Sequence, residues 1–234
     1  MQATVLVPTY NESANLEPML RALVGVLREG DRVLVIDDNS PDGTGRIADR
    51  LAAELTFVDV LHREVKEGLG PAYIAGFRQA LAAGAELIVE MDCDFSHDPK
   101  DVPRLIAAAE EGADVVLGSR YVRGGRVGNW GALRRAISRG ASMYTGFFLW
   151  MRVKDPTGGF KCFRRAVLET IVLDAVTAKG YAFQIEMTYR AKQAGFRVVE
   201  IPITFVDRTV GTSKMSKAIV LEAVWRVPLL RLGR

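Results

Sequence analysis

Cysteine and histidine are scarce in this chain of 234 residues, with two of each. Cys93 and Cys162 lack metal-ligand spacing and make no disulfide framework, which argues against a zinc module and a disulfide-stapled secreted domain. His62 and His97 read as structural or loop residues. Long apolar runs are missing too. Met143–Met151 is the most suggestive one, far short of the roughly 20 residues that cross a bilayer. Strand-like residues begin almost at Met1, so no signal peptide is expected, and a reducing cytoplasmic compartment fits the cysteine usage. There is no G-x-x-x-x-G-K-[ST] phosphate loop and no G-x-S-x-G elbow. Gly68-Leu69-Gly70 opens like a dinucleotide fingerprint, but Tyr73 fills the third glycine's place and the stretch follows the third strand, which argues against a dehydrogenase. No repeat or low-complexity tract interrupts the chain, so one domain over residues 1–234 is expected.

A net charge of +3 conceals a division. Residues 1–119 hold 10 Lys/Arg against 21 Asp/Glu, a balance of −11, while residues 120–234 hold 21 against 7, a balance of +14. From Arg120 to Lys154 there are eight basic residues and no acid. The second half thus faces solvent or an anionic partner: phosphates, an anionic membrane surface or nucleic acid. No nucleic-acid reading module is recognisable, so nucleic acid is not expected as the partner.

What is present is an alternation of apolar strand runs with helical patterns. Strands are predicted over Ala3–Pro8, Arg32–Ile36, Thr56–Leu61, Leu87–Met91 and Asp114–Leu117. Helices are predicted from a Ser13 cap to about Leu27, after the turn Asp37–Thr44, over Ala72–Ala83 and over Asp98–Glu111. This order predicts an α/β fold with a parallel sheet covered on both faces, whose ligands bind outside the carboxyl ends of the strands. The polar clusters Pro8–Glu12, Asp37–Thr44, Asp92–His97 and Gly118–Tyr121 all fall at such ends. The basic half is less regular. Helices are predicted over Ala132–Met151, Arg164–Leu173, Ala182–Ala194 and Ser216–Leu232, with a turn at Asp155–Phe160 and a strand at Arg197–Phe205.

Glu90-Met91-Asp92-Cys93-Asp94-Phe95-Ser96-His97 is the most suggestive cluster. If the extended backbone continues past the strand, Asp92 and Asp94 share a face and offer two hard oxygen donors to Mg²⁺ or Mn²⁺. The alternative is a solvated turn with Asp capping the next helix.

Several stretches together resemble the GT-A glycosyltransferases of family 2, and within them the polyprenol-phosphate (dolichol-phosphate) mannose synthase branch. They are Val7-Pro8-Thr9-Tyr10-Asn11-Glu12, Ile36–Thr44, Gly68-Leu69-Gly70-Pro71-Ala72-Tyr73, Met91-Asp92-Cys93-Asp94, Gly118-Ser119-Arg120-Tyr121, Asp155–Phe160 and Arg208-x-x-Gly211-x-Ser213-Lys214. The resemblance implies a Rossmann-like, mostly parallel sheet with a basic C-terminal extension. It implies an inverting transfer of mannose from GDP-mannose to a polyprenyl phosphate. The residues alone do not separate a guanine pocket from a uracil one, so a UDP-glucose-dependent enzyme of the same fold stays open, as does a catalytically silent nucleotide-binding scaffold.

The resemblance also distributes roles. Pro8, Tyr10, Glu12, Ile36 and Asp38 would line the nucleotide pocket, continued by Asp92 and Cys93. Asp94 would be the chief metal ligand, with Asp92 shared between metal and nucleotide. Ser96 stands where relatives often carry Gln, and its shorter side chain reaches less far. Arg120, Arg208 and Lys214 would bring mobile positive charge to the phosphates, the last two on a Gly-bearing segment that closes over the substrate. Arg134, Arg135 and Arg139 would clamp the acceptor phosphate, although at i, i+1 and i+5 of a helix they do not all face one way. A phosphate acceptor is already anionic near neutral pH, so Glu186 is read as structural and not as a base. Met143–Met151 and the stripe on Ser216–Leu232 either rest on a membrane or pack on the core. Without spanning helices, the protein is expected to lie on the inner membrane face, with a separate integral-membrane protein as its anchor.

Overall fold

The structure is a computed structural model and describes residues 1–178, 180–208 and 225–231. Its centre is a seven-stranded sheet. The first half supplies β1 (Ala3–Thr9), α1 (Leu16–Val24), β2 (Arg32–Asp37), α2 (Thr44–Glu54), β3 (Val58–His62), α3 (Leu69–Ala82), β4 (Leu87–Glu90), α4 (Val102–Glu110) and β5 (Val115–Ser119). The second half adds β6 (Arg126–Val127), α5 (Ala132–Leu149), β7 (Lys161–Arg164), α6 (Arg165–Thr170), α7 (Tyr181–Gln193), β8 (Val198–Pro202) and β9 (Thr204–Phe205). Residues 225–231 are helical.

The sheet runs β3-β2-β1-β4-β7-β5-β8, with β6 and β9 forming a separate parallel pair. Alternation along each strand sends neighbours to opposite faces. Val5 and Val7 join the core under α1 and α4, while Leu6 joins the one under α3 and α7. Both faces are buried, which is why the strands read as continuous apolar runs.

The sheet is mostly parallel, as expected, with one exception. β7 enters antiparallel between β4 and β5, pairing Glu90 with Lys161 and Leu117 with Lys161 on its two edges. Residues 161–164 were expected to lead from a turn into a helix, because Lys161 and Arg164 disguise a four-residue strand. Lys161 is nevertheless fully buried, its Nζ donating to the Gln184 carbonyl at 2.6 Å and to Thr188 Oγ1 at 2.9 Å. Arg197–Phe205 is not one strand either: β8 lies in the large sheet and β9 in the small one. Ser13 does not cap α1. Asn15 takes the cap position, and its amide donates to Glu12 Oε2 at 2.8 Å.

The Gly68-Leu69-Gly70 stretch has a packing role. A Cβ on Gly70 would stand 2.3 Å from the Ala178 carbonyl oxygen, so only glycine lets α3 start this close to the segment before α7. Most of the predicted Ser216–Leu232 helix, together with Gly211, Ser213 and Lys214, lies outside the described residues.

Candidate active site

The polar clusters meet at the carboxyl ends of β1, β2, β4 and β5. β1 and β2 are paired up to Thr9 and Asp37, which puts Tyr10 and Asp38 on adjacent strand exits. The chain turns sharply behind three of the candidate side chains. Asn11, Asn39 and Phe95 all adopt positive φ (55°, 55° and 58°), directly after Tyr10, Asp38 and Asp94. Asn tolerates this conformation, whereas Phe95 pays of order 1–3 kcal/mol for it. That cost is concentrated at the carboxylate with the strongest claim to a metal.

The backbone does not stay extended through the acidic pair. β4 ends at Glu90 and residues 93–94 form a turn, so the arrangement of Asp92 and Asp94 comes from the turn and not from the strand's pleat. Asp94 is buried at 6% exposure. Its Oδ1 accepts the Ser96 backbone N–H at 3.0 Å, and its Oδ2 takes an ion pair from Arg208 Nη2 at 2.7 Å. The Ser96 carbonyl accepts the Val206 N–H at 3.2 Å, which ties the acidic turn to the strand end that delivers Arg208. These are hard oxygen donors, the set that suits Mg²⁺ or Mn²⁺ when substrate phosphates complete the shell. Among the described residues no cluster of three or more His, Cys, Asp or Glu forms a metal cage.

At the exits of β1 and β2, Lys66 Nζ stands 3.7 Å from the centre of the Tyr10 ring, and Arg63 pairs with the buried Asp38. Burial raises the Asp38 carboxyl, with Arg63 opposing the shift. Neither Arg63 nor Lys66 was singled out from the sequence; their only signal was two cations just past the third strand. Glu12 is buried, and its N–H donates to Thr44 Oγ1 at 3.0 Å, fastening β1's exit to the start of α2. Pro8 is half-buried. The side chains of Ile36 and Cys93 belong to the two apolar cores and do not reach the site surface.

Arg120 differs most from expectation. It was read as a mobile cation, yet it is 8% exposed and clamped by the fully buried Asp155. Asp155 Oδ2 accepts the Arg120 N–H at 2.9 Å and Nε–H at 2.7 Å, and Oδ1 accepts Nη2–H at 2.6 Å. Thr157 Oγ1 takes a further Nη2 bond at 2.9 Å. The turn Asp155–Phe160 thus fixes a guanidinium among Tyr121, Trp130 and Phe205, whose ring centres lie 5.3, 5.6 and 5.4 Å from its carbon. The three helix arginines divide. Arg134 lies 4.3 Å over Trp130 and pairs with Asp207, and Arg139 lies 5.6 Å over Tyr121. Arg135 is exposed to solvent.

Beneath the acidic turn is a polar pocket of the core. Glu90, Gln184 and Tyr73 are at most 1% exposed. Burial pushes the Glu90 carboxyl up to about 8 and the Lys161 ammonium down to about 8. His97, stacked on Phe160 at 4.9 Å, is driven by burial to about 4 and is neutral at pH 7. Glu186 faces Arg190 on its own helix, with Oε1 accepting Nη2–H at 2.7 Å.

Comparisons with known proteins place the chain in a family. Residues 4–172 match the model of glycosyl transferase family 2. An undecaprenyl-phosphate mannosyltransferase of Micrococcus luteus is 49% identical over 97% of this chain and 93% of its own length. A polyprenol monophosphomannose synthase of Mycolicibacterium smegmatis is 49% identical over 95% of this chain and 84% of its own. Among solved structures, a mannosyltransferase from Pyrobaculum calidifontis in complex with GDP-Man and Mn²⁺ superposes with a TM-score of 0.67 at 19% identity, covering 100% of this chain and 64% of that one, which bears on the fold alone. With the sheet, the acidic turn after β4 and the family match in agreement, the chain belongs to glycosyl transferase family 2.

Proposed function

We propose that this protein transfers mannose from GDP-mannose to a polyprenyl phosphate, with Mg²⁺ or Mn²⁺ as cofactor. The observation that carries the reading is the meeting of Asp94 and Arg208 at the carboxyl end of β4. Residues 114 positions apart bring a carboxylate for a cation and a guanidinium for phosphate to one point. The names of the two relatives that are 49% identical support the choice of mannose and of a polyprenyl acceptor.

The acidic half would hold the nucleotide, with Tyr10 as a flat face for the base and Asp38 and Glu12 as acceptors for base or ribose donors. Asp94 would hold the cation, Asp92 would share it with the donor, and the Ser96 hydroxyl is near enough in sequence to join through water. When bound, the cation neutralises the diphosphate and stabilises it as a leaving group. Arg208 would exchange its bond to Asp94 for one to a phosphate oxygen, and Lys214 would add a second cation. Arg120, held rigid by Asp155, would present positive charge without needing to reorganise.

The acceptor phosphate would lie toward Arg134 and Arg139. One of its oxygens attacks the anomeric carbon from the face opposite the diphosphate. The new C–O bond forms as the bond to the diphosphate breaks, giving GDP and an inverted, β-linked mannosyl phospholipid. The nucleophile arrives already charged, so Glu186 can stay paired with Arg190.

The whole chain would work as one unit at the inner face of a membrane. α5 supports this: Leu133, Ile137, Met143 and Phe147 on the helix, and Trp150 at its C-cap, are 60–76% exposed, and the helix has three arginines and no acid. A separate integral-membrane protein would supply a firmer anchor; among the described residues no helix is long and apolar enough to cross a bilayer. Thermal shifts with GDP, GDP-mannose, UDP and UDP-glucose, each with Mg²⁺, test the donor. Stabilisation by the guanine pair alone is the expected result; stabilisation by the uracil pair alone would overturn it.

A further inference from the structure

Polar groups buried without partners are rare, because each gives up its hydrogen bonds to water with nothing in exchange. Five such atoms cluster behind the acidic turn: Tyr73 Oη, Glu90 Oε1 and Oε2, and Gln184 Nε2 and Oε1. Gln184 stands beside Glu90, near enough to favour its charged form, yet the two do not close a hydrogen bond of ordinary geometry. Its backbone is not loose. Lys161 Nζ grips its carbonyl from β7, so the first turn of α7 is pinned with the Gln184 side chain facing the end of β4.

Gly159 shows what the amide is facing. A Cβ built there would lie 3.7 Å from Gln184 Nε2 and 3.8 Å from Asp92 Oδ2. The two atoms therefore flank the space beside one glycine, and Gly159 is the half-exposed residue of its turn. One flanking atom is an N–H donor and the other a carboxylate acceptor. A hydroxyl, which both accepts and donates, complements that pair, and neighbouring hydroxyls on a hexose ring complement it further.

We infer that Gln184 is a donor-sugar residue: with Asp92, across the side-chain-free surface of Gly159, it hydrogen-bonds a hydroxyl of the hexose. This rests on the nucleotide-sugar reading above. It assigns the first turn of α7 to recognition of the sugar, and it gives Gly159 a reason to lack a side chain. An amide left unpaired in the core is then held in readiness for the substrate, and a sugar lacking the matching hydroxyl is rejected because that amide stays unpaired.

The test measures equilibrium binding of GDP-mannose and of GDP, each with Mg²⁺, to the wild type, Gln184→Leu and Gly159→Ala. Gly159→Ala adds only a Cβ at ordinary contact distance, so it folds even if the glutamine variant does not. Both variants are expected to bind GDP-mannose roughly tenfold or more weakly while GDP binding stays within about twofold, as loss of a buried hydrogen bond implies. Equal losses for both ligands would mean a structural role and overturn the inference, as would no loss for either. If the wild type binds neither ligand, the donor reading fails first and takes this inference with it. If the wild type binds both and the variants keep the sugar, the inference alone fails.

Discussion

Replacing Asp155 with Ala removes every acceptor that Asp155 gives Arg120 and leaves a guanidinium 8% exposed in the core. Breaking one side of a buried ion pair costs about 3–5 kcal/mol, because the partner's charge stays desolvated. For a chain of this size each kcal/mol moves the melting temperature by roughly 2–4 °C, so Asp155→Ala should melt roughly 6–20 °C lower. Urea unfolding should give the same loss as a shifted midpoint. The contrast is Arg134→Ala, which breaks the exposed pair to Asp207 and should cost about 0–1 kcal/mol. Adding Arg120→Met to Asp155→Ala should recover much of the loss, since an apolar side chain tolerates burial without a carboxylate better than a guanidinium does. A loss below about 1 kcal/mol for Asp155→Ala, or no recovery in the double variant, would refute the reasoning that Arg120 is a clamped, buried cation.

Lys161 gives a pH prediction. Burial lowers it from 10.5 to about 8, so between those values the unfolded chain binds a proton that the folded chain has lost. Stability therefore rises with pH across that window, and Lys161→Met should flatten the rise in chemical unfolding run from pH 8 to 10.5; an unchanged slope would contradict the assignment. Glu186→Gln should leave turnover within about threefold, because Arg190 holds Oε1 of the carboxylate and no proton needs to be taken from a phosphate acceptor. Steady-state rates with saturating donor check this, and loss of turnover with donor binding intact would make Glu186 a base. Trp150→Ser with Phe147→Ser should weaken sedimentation with anionic phospholipid vesicles severalfold while melting moves little, since both side chains are about three-quarters exposed. Unchanged sedimentation would remove α5 from the membrane.

Much of this architecture was legible because local pattern and global role coincide. Apolar runs such as Val33–Ile36 make strands buried on both faces, and each polar cluster after such a run ends at the ligand side of the sheet. The exceptions share one cause: their meaning lies in distant partners. Lys161 looks like a surface lysine until Gln184 and Thr188 meet it, which is why β7 was read as something else. Asp155 looks like a turn residue until Arg120, 35 positions earlier, closes on it. Arg208 and Asp94 were both singled out, but only the fold shows that they touch. Lys214 lies outside the described residues, so its part in phosphate binding stays a proposal.

The central claim is that a lipid phosphate receives mannose from GDP-mannose at the Asp92–Asp94 turn. The direct measurement is transfer of radiolabel from GDP-mannose into an organic-extractable product, using a short polyprenyl phosphate with Mg²⁺ or Mn²⁺. The wild type should make a mild-acid-labile mannosyl phospholipid. Asp94→Asn, which removes the carboxylate charge that would hold the cation, should lower the rate at least about a hundredfold. No lipid-linked sugar with either metal, or full activity in Asp94→Asn, would contradict the account.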